Sequence, residues 1–217
     1  MQYIKFETSD GKNNMQKDSD LLDFAIKTKN EESFFRLYSW APACVSLGRN
    51  QTSEFLDLEY LKARNIDIVR RLTGGRALLH DKELTYSYIC PVKSLNDGGN
   101  IMQSYKEICE ILIKAFDDLG IELDYGEKKP STKFDYCMSV STGADLGYLG
   151  KKLIGSAQYR KEGYILQHGS ILFDYDANLI EKIFGEKVDS NSITTVKEIA
   201  PDLSIEKLVE AFERVID

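Results

Sequence analysis

Four cysteines occur in the 217 residues, Cys44, Cys90, Cys109 and Cys137, and one of them has the surroundings of a nucleophile. Cys44 and Cys90 fall in apolar segments and Cys109 beside the apolar stripe of a helical pattern, ordinary places for an inert core thiol. Cys137 instead falls in a polar stretch, between Tyr136 and Met138 and soon after Lys128, Lys129 and Lys133. Exposure and cationic neighbours favour the thiolate, the form that attacks carbonyl carbon. None of the cysteines shows CxxC spacing, which argues against a disulfide framework or a zinc site. The chain has 2 histidines, His80 and His168. A Cys137/His168 pair would suit a cysteine hydrolase, and either imidazole equally suits a structural hydrogen-bonding position.

The stretch RRLTGGRALLHDKELTYS sets Arg70, Arg71 and Arg76 around the pair Gly74 and Gly75. Glycine permits a positive φ and lets a ligand lie against the main chain, although a plain hairpin turn explains the pair as well. Three guanidiniums at one turn repel one another unless an anionic or strongly polar group visits, which favours the ligand. The G-x-x-x-x-G-K-[ST] pattern of a phosphate-gripping loop is missing. In GKKLIGSAQYR, strict alternation would put Leu153, Gly155 and Ala157 on one strand face and Lys152, Ile154, Ser156 and Gln158 on the other. Lys152 then points to a polar face, where it is either solvated or turned toward a substrate.

These residues need elements to hold them. Ile101, Tyr105, Ile108, Leu112, Ala115 and Leu119 share one face of a helix, with Asn100 as cap and Gly120 as stop. Shorter helices fit Ser19 to Thr28, Leu56 to Arg64, Ala177 to Ile183 and Ser204 to Val215. Strands fit 33–39, 43–47, 67–71, 75–79, 83–90, 141–148, 151–158 and 163–173, and LNDGGN and GEKKPSTK read as exposed loops. Asp67 to Arg71 and Arg76 to His80 read as successive strands joined by Leu72 to Gly75. Strands succeed strands without an intervening helix, so the class is α+β with a mixed, largely antiparallel central sheet flanked by helices.

Composition narrows the function. An apolar content of 42% with 29% charged residues is ordinary for a globular protein able to bury its own core. A net charge of −7 argues against general nucleic-acid binding, which needs a basic footprint. No apolar run is long enough to span a membrane, and MQYIKFETSDGKNN lacks an apolar signal core, so no membrane association and a cytoplasmic location are expected. One continuous domain over 1–217 is the simplest division.

RRLTGGRALLH with DKELTYS, then GKKLIGSAQYR and LQHGSI, resemble the lipoate/biotin protein ligase superfamily, and within it the octanoyltransferases of Gram-positive type. The resemblance runs from about Trp40 to Phe173. It includes Cys137, which precedes Gly150 by the roughly thirteen residues that separate the subgroup's nucleophile from the glycine of its GKK or GRK motif. The subgroup commonly has Phe after that cysteine, where this chain has Met138. The resemblance implies octanoyl transfer from acyl carrier protein to a lysine of a lipoyl domain or of the glycine cleavage H protein. It implies a thioester on Cys137, with no metal, cofactor or ATP. Cys137 and Lys152 would be catalytic. Arg71, Thr73, Gly74, Gly75, Arg76, His80, Gly155, Ser156, Ala157, Gln158, His168 and Gly169 would contact the acyl group or the rest of the substrate. The accessory C-terminal domain typical of ATP-using lipoate ligases is not expected after Val215.

On that reading the Gly74–Gly75 turn lines an acyl slot. Octanoyl exceeds acetyl by six methylenes, and at about 0.8 kcal/mol per buried CH₂ the slot could favour the longer chain by roughly 5 kcal/mol. The arginines and Lys133 would face an acidic carrier or acceptor. Two other functions fit the same residues: an ATP-dependent lipoate ligase holding an acyl-adenylate, and a non-catalytic module that binds acylated carriers.

Overall fold

The computed structural model describes residues 1–126, 138 and 145–216. Cys137, Lys128, Lys129, Lys133 and the start of the strand expected at 141–148 lie outside the described residues. The chain opens with β1 (Gln2–Ser9), α1 (Gly11–Thr28) and β2 (Phe34–Trp40), with β1 and β2 parallel. A small sheet follows from β3 (Cys44–Leu47), α2 (Leu58–Ala63), β4 (Asp67–Arg70) and β5 (Leu78–His80). Then come β6 (Glu83–Pro91), α3 (Ile101–Asp117), β7 (Asp124–Tyr125), β8 (Leu146–Tyr148), β9 (Lys151–Lys161) and β10 (Tyr164–Leu172). Helices α4 (Ala177–Phe184), α5 (Val196–Ile199) and α6 (Ile205–Ile216) complete the described chain.

The large sheet runs β1-β2-β6-β10-β9-β8-β7 and the small one β4-β3-β5. Apart from β1–β2 and β3–β4, the strand pairs are antiparallel, in agreement with the α+β class read from sequence. Strands β4 and β5 fall within the expected 67–71 and 76–80, but they do not pair with each other as a plain hairpin would require. Strands β4 and β5 flank β3 on opposite sides, so the glycine pair bridges across the end of β3. Helix α1 begins at Gly11, well before the expected Ser19, because Asp10 caps it by accepting from the Asn13 amide.

Alternation along the strands gives the large sheet two unlike faces. One packs on α3 and α6: Phe35, Tyr86 and Ile154 join Ile108, Leu112 and Phe212, with the Phe35 and Phe212 rings 5.7 Å apart. Helix α3 starts as expected, with Asn100 accepting from the Gln103 amide. The other face meets α1 through Phe34, Ile89 and Leu166, and meets the small sheet through Leu172. Between these apolar patches lies a polar interior built of Arg36, Thr85, Ser87, His168 and Ser170, all buried. Among the described residues no helix is long and apolar enough to cross a membrane.

Candidate active site

Lys152 does not follow the alternation expected of its strand. Where β9 pairs with β8, Leu146 faces Ile154 but Gly147 faces Lys152, so Leu153 is an extra residue on one side of the ladder. Such a bulge shifts the alternation by one position. Lys152 is thereby carried off the polar face shared by Ser156 and Gln158 and onto the face of Gly155. A Cβ on Gly155 would stand 3.3 Å from Lys152 Nζ and 3.3 Å from the sulfur of Met138. The ammonium is buried and paired with Asp145 Oδ2 at 3.0 Å. The other oxygen of Asp145 accepts the Ser156 amide at 3.3 Å. A solvated lysine is thus excluded. The missing side chain of Gly155 makes room for the lysine to lie along the strand, and Met138, the neighbour of Cys137 in sequence, packs at the same point.

The glycine turn is held from two sides. Gly75 has φ +94, which a side chain would strain, while Gly74 has open space where its Cβ would be. A Cβ on Gly48 would meet the Gly75 carbonyl oxygen at 1.9 Å, so glycine at 48 is what lets the two backbone segments touch. The Arg49 amide donates to the Thr73 carbonyl at 2.9 Å across the same contact. The buried Arg71 donates to the carbonyls of Ser46, Gly74 and Arg76 and to the hydroxyls of Ser46 and Thr73. Arg70 donates to the carbonyls of Gly48, Arg49 and Gln51. Two of the three guanidiniums therefore brace the loops by donating to their carbonyls.

Both histidines sit in the polar interior between the sheets. His168 Nε2 is 2.7 Å from Thr73 Oγ1, and its Nδ1 is 3.2 Å from Asp18 Oδ2. Asp18 also accepts from Arg36 at 2.9 Å and from the Tyr38 hydroxyl at 3.0 Å. Burial opposes its ionisation, yet the hydrogen bonds from His168 and Tyr38 and the charge of Arg36 outweigh that and hold the carboxyl below its usual range. His80 Nε2 is 2.8 Å from Ser46 Oγ, its ring stacks on Trp40 at 3.9 Å, and Nδ1 faces Glu83 Oε1 at 3.3 Å. Burial pushes the His80 imidazole down against the opposing pull of Glu83, which keeps it neutral. Among the described residues, the two nitrogens of His168 are met by Asp18 and Thr73.

The expected substrate contacts divide between the two faces of the sheet. Ala157 lies opposite His168, on the face that carries Gly155 and Lys152. Ser156 Oγ turns the other way and meets the Tyr86 hydroxyl at 2.7 Å, while Gln158 bonds Gln167 and Ser104 beneath α3. A Cβ on Gly169 would strike Ser156 Oγ and Tyr86, also on the helix side. The side chains of Ser156 and Gln158 therefore do not point to the lysine, although the Ser156 amide reaches Asp145. Cys44, Cys90 and Cys109 are buried and unbridged, and burial pushes Cys90 up to about 11, Cys109 up to about 12 and Cys44 further still. The core thiols are inert, as their apolar settings implied.

Sequence reasoning missed Asp145, Asp18, Arg36, Glu83 and Gly48. Asp145 carried a signal, as an acid between apolar residues just ahead of GKK. Asp18 carried almost none, because the first half of α1 is polar throughout.

The family of the lipoyl protein ligase A/B catalytic domain matches residues 10–217. The octanoyltransferase LipM of Clostridioides difficile (strain 630) is 39% identical over 186 residues, covering 83% of this chain and 67% of that one. The LipM of Staphylococcus aureus (strain NCTC 8325 / PS 47) is 31% identical over 232 residues, covering 98% and 84%. Among solved structures, lipoate-protein ligase A bound with ATP superposes with a TM-score of 0.75 at 24% identity, over 99% of this chain and 83% of that one. The protein Ta0514 of T. acidophilum with bound lipoic acid gives the same values. The fold is shared with these two structures, and by the extent of the sequence match the chain belongs to the lipoyl protein ligase A/B catalytic-domain family.

Proposed function

We propose that this chain is an octanoyltransferase of protein lipoylation, taking octanoyl from acyl carrier protein and delivering it to a lysine of a lipoyl domain or of the glycine cleavage H protein. The observation that carries the reading is the ion pair of Lys152 with Asp145, set over the bare backbone of Gly155 and against Met138. It is supported by the LipM relatives, which are named octanoyltransferases.

In this reading the Cys137 thiolate attacks the carbonyl carbon of the donor thioester. The tetrahedral intermediate expels the carrier thiolate, which takes up a proton. The amine of the acceptor lysine then attacks the enzyme thioester, loses a proton and expels the Cys137 thiolate, leaving an amide. Exchange between thioesters is nearly balanced and aminolysis runs downhill, so neither step needs ATP. A fixed positive charge at Lys152 favours the thiolate and the oxyanion of both intermediates, and Asp145 holds that charge in place at no cost in reorganisation. In this reading Ala157, on the face of Lys152, and the Gly74–Gly75 turn line the track in which the acyl chain lies against the main chain.

Incubation with octanoyl acyl carrier protein and no nucleotide tests this. Intact-mass spectra should show one octanoyl adduct, labile to hydroxylamine and mapping to Cys137, and Cys137→Ser should accumulate little of it. Full transfer by Cys137→Ser, or an adduct on another residue, overturns the covalent route. Acylation that waits for ATP and a free fatty or lipoic acid would assign the chain to the ligases instead.

A further inference from the structure

The two histidines of the chain are wired alike. Each faces a buried carboxylate through Nδ1, Asp18 for His168 and Glu83 for His80, and each meets a hydroxyl through Nε2, Thr73 for His168 and Ser46 for His80. Both hydroxyls then meet the same guanidinium: Arg71 donates from Nε to Thr73 Oγ1 at 3.2 Å and from Nη1 to Ser46 Oγ at 2.9 Å. Two lines of carboxylate, imidazole and hydroxyl thus come in from α1 and from β6 and end on one buried arginine.

Two requirements fix the proton inventory: the carboxylates must be faced by N–H, and the hydroxyl protons of Thr73 and Ser46 must have an acceptor. A carboxylate only accepts, so each histidine carries its proton on Nδ1. Each Nε2 is then bare and accepts the hydroxyl proton of Thr73 or Ser46. Each hydroxyl oxygen in turn accepts from Arg71, whose remaining donors go to the carbonyls of Ser46, Gly74 and Arg76. The Glu83 contact is the looser, a 3.3 Å approach that makes no hydrogen bond, and Glu83 is itself fixed by the hydroxyls of Thr85 and Ser170. The Asp18 contact is anchored by Arg36 and Tyr38. Arg71 has these two carboxylates one imidazole and one hydroxyl away, which offsets the desolvation of its charge without placing an anion beside the turn.

We infer that Asp18 and Glu83 are positioning residues for the Gly74–Gly75 turn: through the tautomers of His168 and His80 they orient Thr73 and Ser46, and through these hydroxyls the Arg71 guanidinium that holds the turn's carbonyls. The bearing of this on transfer rests on the proposed role of the turn in the acyl track. The placement itself does not.

The test reads the two separately. In protein labelled with ¹⁵N-histidine, both rings should show a proton on Nδ1 and a bare Nε2. Asp18→Asn and Glu83→Gln should each speed hydrogen exchange at the Arg49 and Arg71 amides, which donate to the Thr73 and Leu47 carbonyls, by at least about tenfold, the loss expected of one charge-assisted bond. Thr73→Val should do the same and Thr73→Ser should restore protection, which keeps the test open if a carboxylate variant fails to fold. A proton on Nε2 of His168, or unchanged exchange in Thr73→Val, overturns the inference. With octanoyl carrier as donor, Thr73→Val should lower kcat while leaving KM for the acceptor domain in place. A loosened turn with undiminished kcat would uphold the positioning and remove the turn from the acyl track.

Discussion

Lys152 and Asp145 meet at 3.0 Å with side-chain exposures of 3% and 2%, a lysine and an aspartate almost wholly removed from water and held together. Removing one charge of such a pair costs far more than removing both, because the survivor stays buried without compensation.

Lys152→Ala should therefore lose about 3–5 kcal/mol of stability in addition to most of its transfer activity. The double variant Lys152→Met with Asp145→Asn should recover much of the thermal midpoint and none of the activity. Thermal unfolding beside octanoyl-transfer assays on all three proteins checks this. A Lys152→Ala protein as stable as the parent would mean that the pair is solvated after all.

Glycine substitutions should separate support from contact. Gly74→Ala has open space for its methyl and should leave the midpoint unchanged, so any loss of transfer it causes reports on the substrate. Gly75→Val at φ +94, and Gly48→Ala against the Gly75 carbonyl, should lower both stability, by roughly 1–3 kcal/mol, and transfer. A Gly48→Ala protein that melts like the parent would show that the two loops can part freely.

Arg70 gives a result opposite to the docking role that its charge suggests. Its guanidinium is committed to the carbonyls of Gly48, Arg49 and Gln51. Arg70→Ala should therefore impair small octanoyl thioesters as much as protein substrates, and the defect should persist at high salt. A loss confined to carrier proteins and fading with ionic strength would return Arg70 to docking.

Acid should weaken the protein through His80. Burial lowers its folded pKa below the unfolded value of about 6.5, so the unfolded chain binds the proton first. The neutral ring contributes stability in full above about pH 6.5, and that contribution shrinks as pH falls from there toward the folded pKa. Urea unfolding from pH 8 to 5 should show this slope, and His80→Gln should flatten it even if it lowers stability throughout. An unaltered slope in His80→Gln would place the acid sensitivity elsewhere.

Much of the fold was legible because its signals are local. The apolar stripe of α3, its Asn100 cap and the strands on either side of Glu162–Gly163 follow from period and turn chemistry. Strand β1 was missed because its faces are only half buried, and the first half of α1 because Gly11, Asn14 and Asp18 give it a buried face without apolar residues. The position of Lys152 was legible but its direction was not, since one extra residue opposite β8 inverts the face and no residue type announces that bulge. Asp18 escaped for a deeper reason: its meaning depends on an arginine 18 residues away and a histidine 150 residues away.

That separation also governs when the site can exist. β10 lies in the middle of the large sheet, between β6 and β9, and it brings His168 to Asp18. Until the last of these strands leaves the ribosome and inserts, Asp18 and Arg36 have no imidazole above them and the two halves of the sheet have no seam. Contacts of such span close slowly, and the growing chain exposes the open edge of β6 meanwhile. Chaperone demand during synthesis should thus fall sharply once β10 emerges, so that competence for chemistry and freedom from aggregation arrive in the same step.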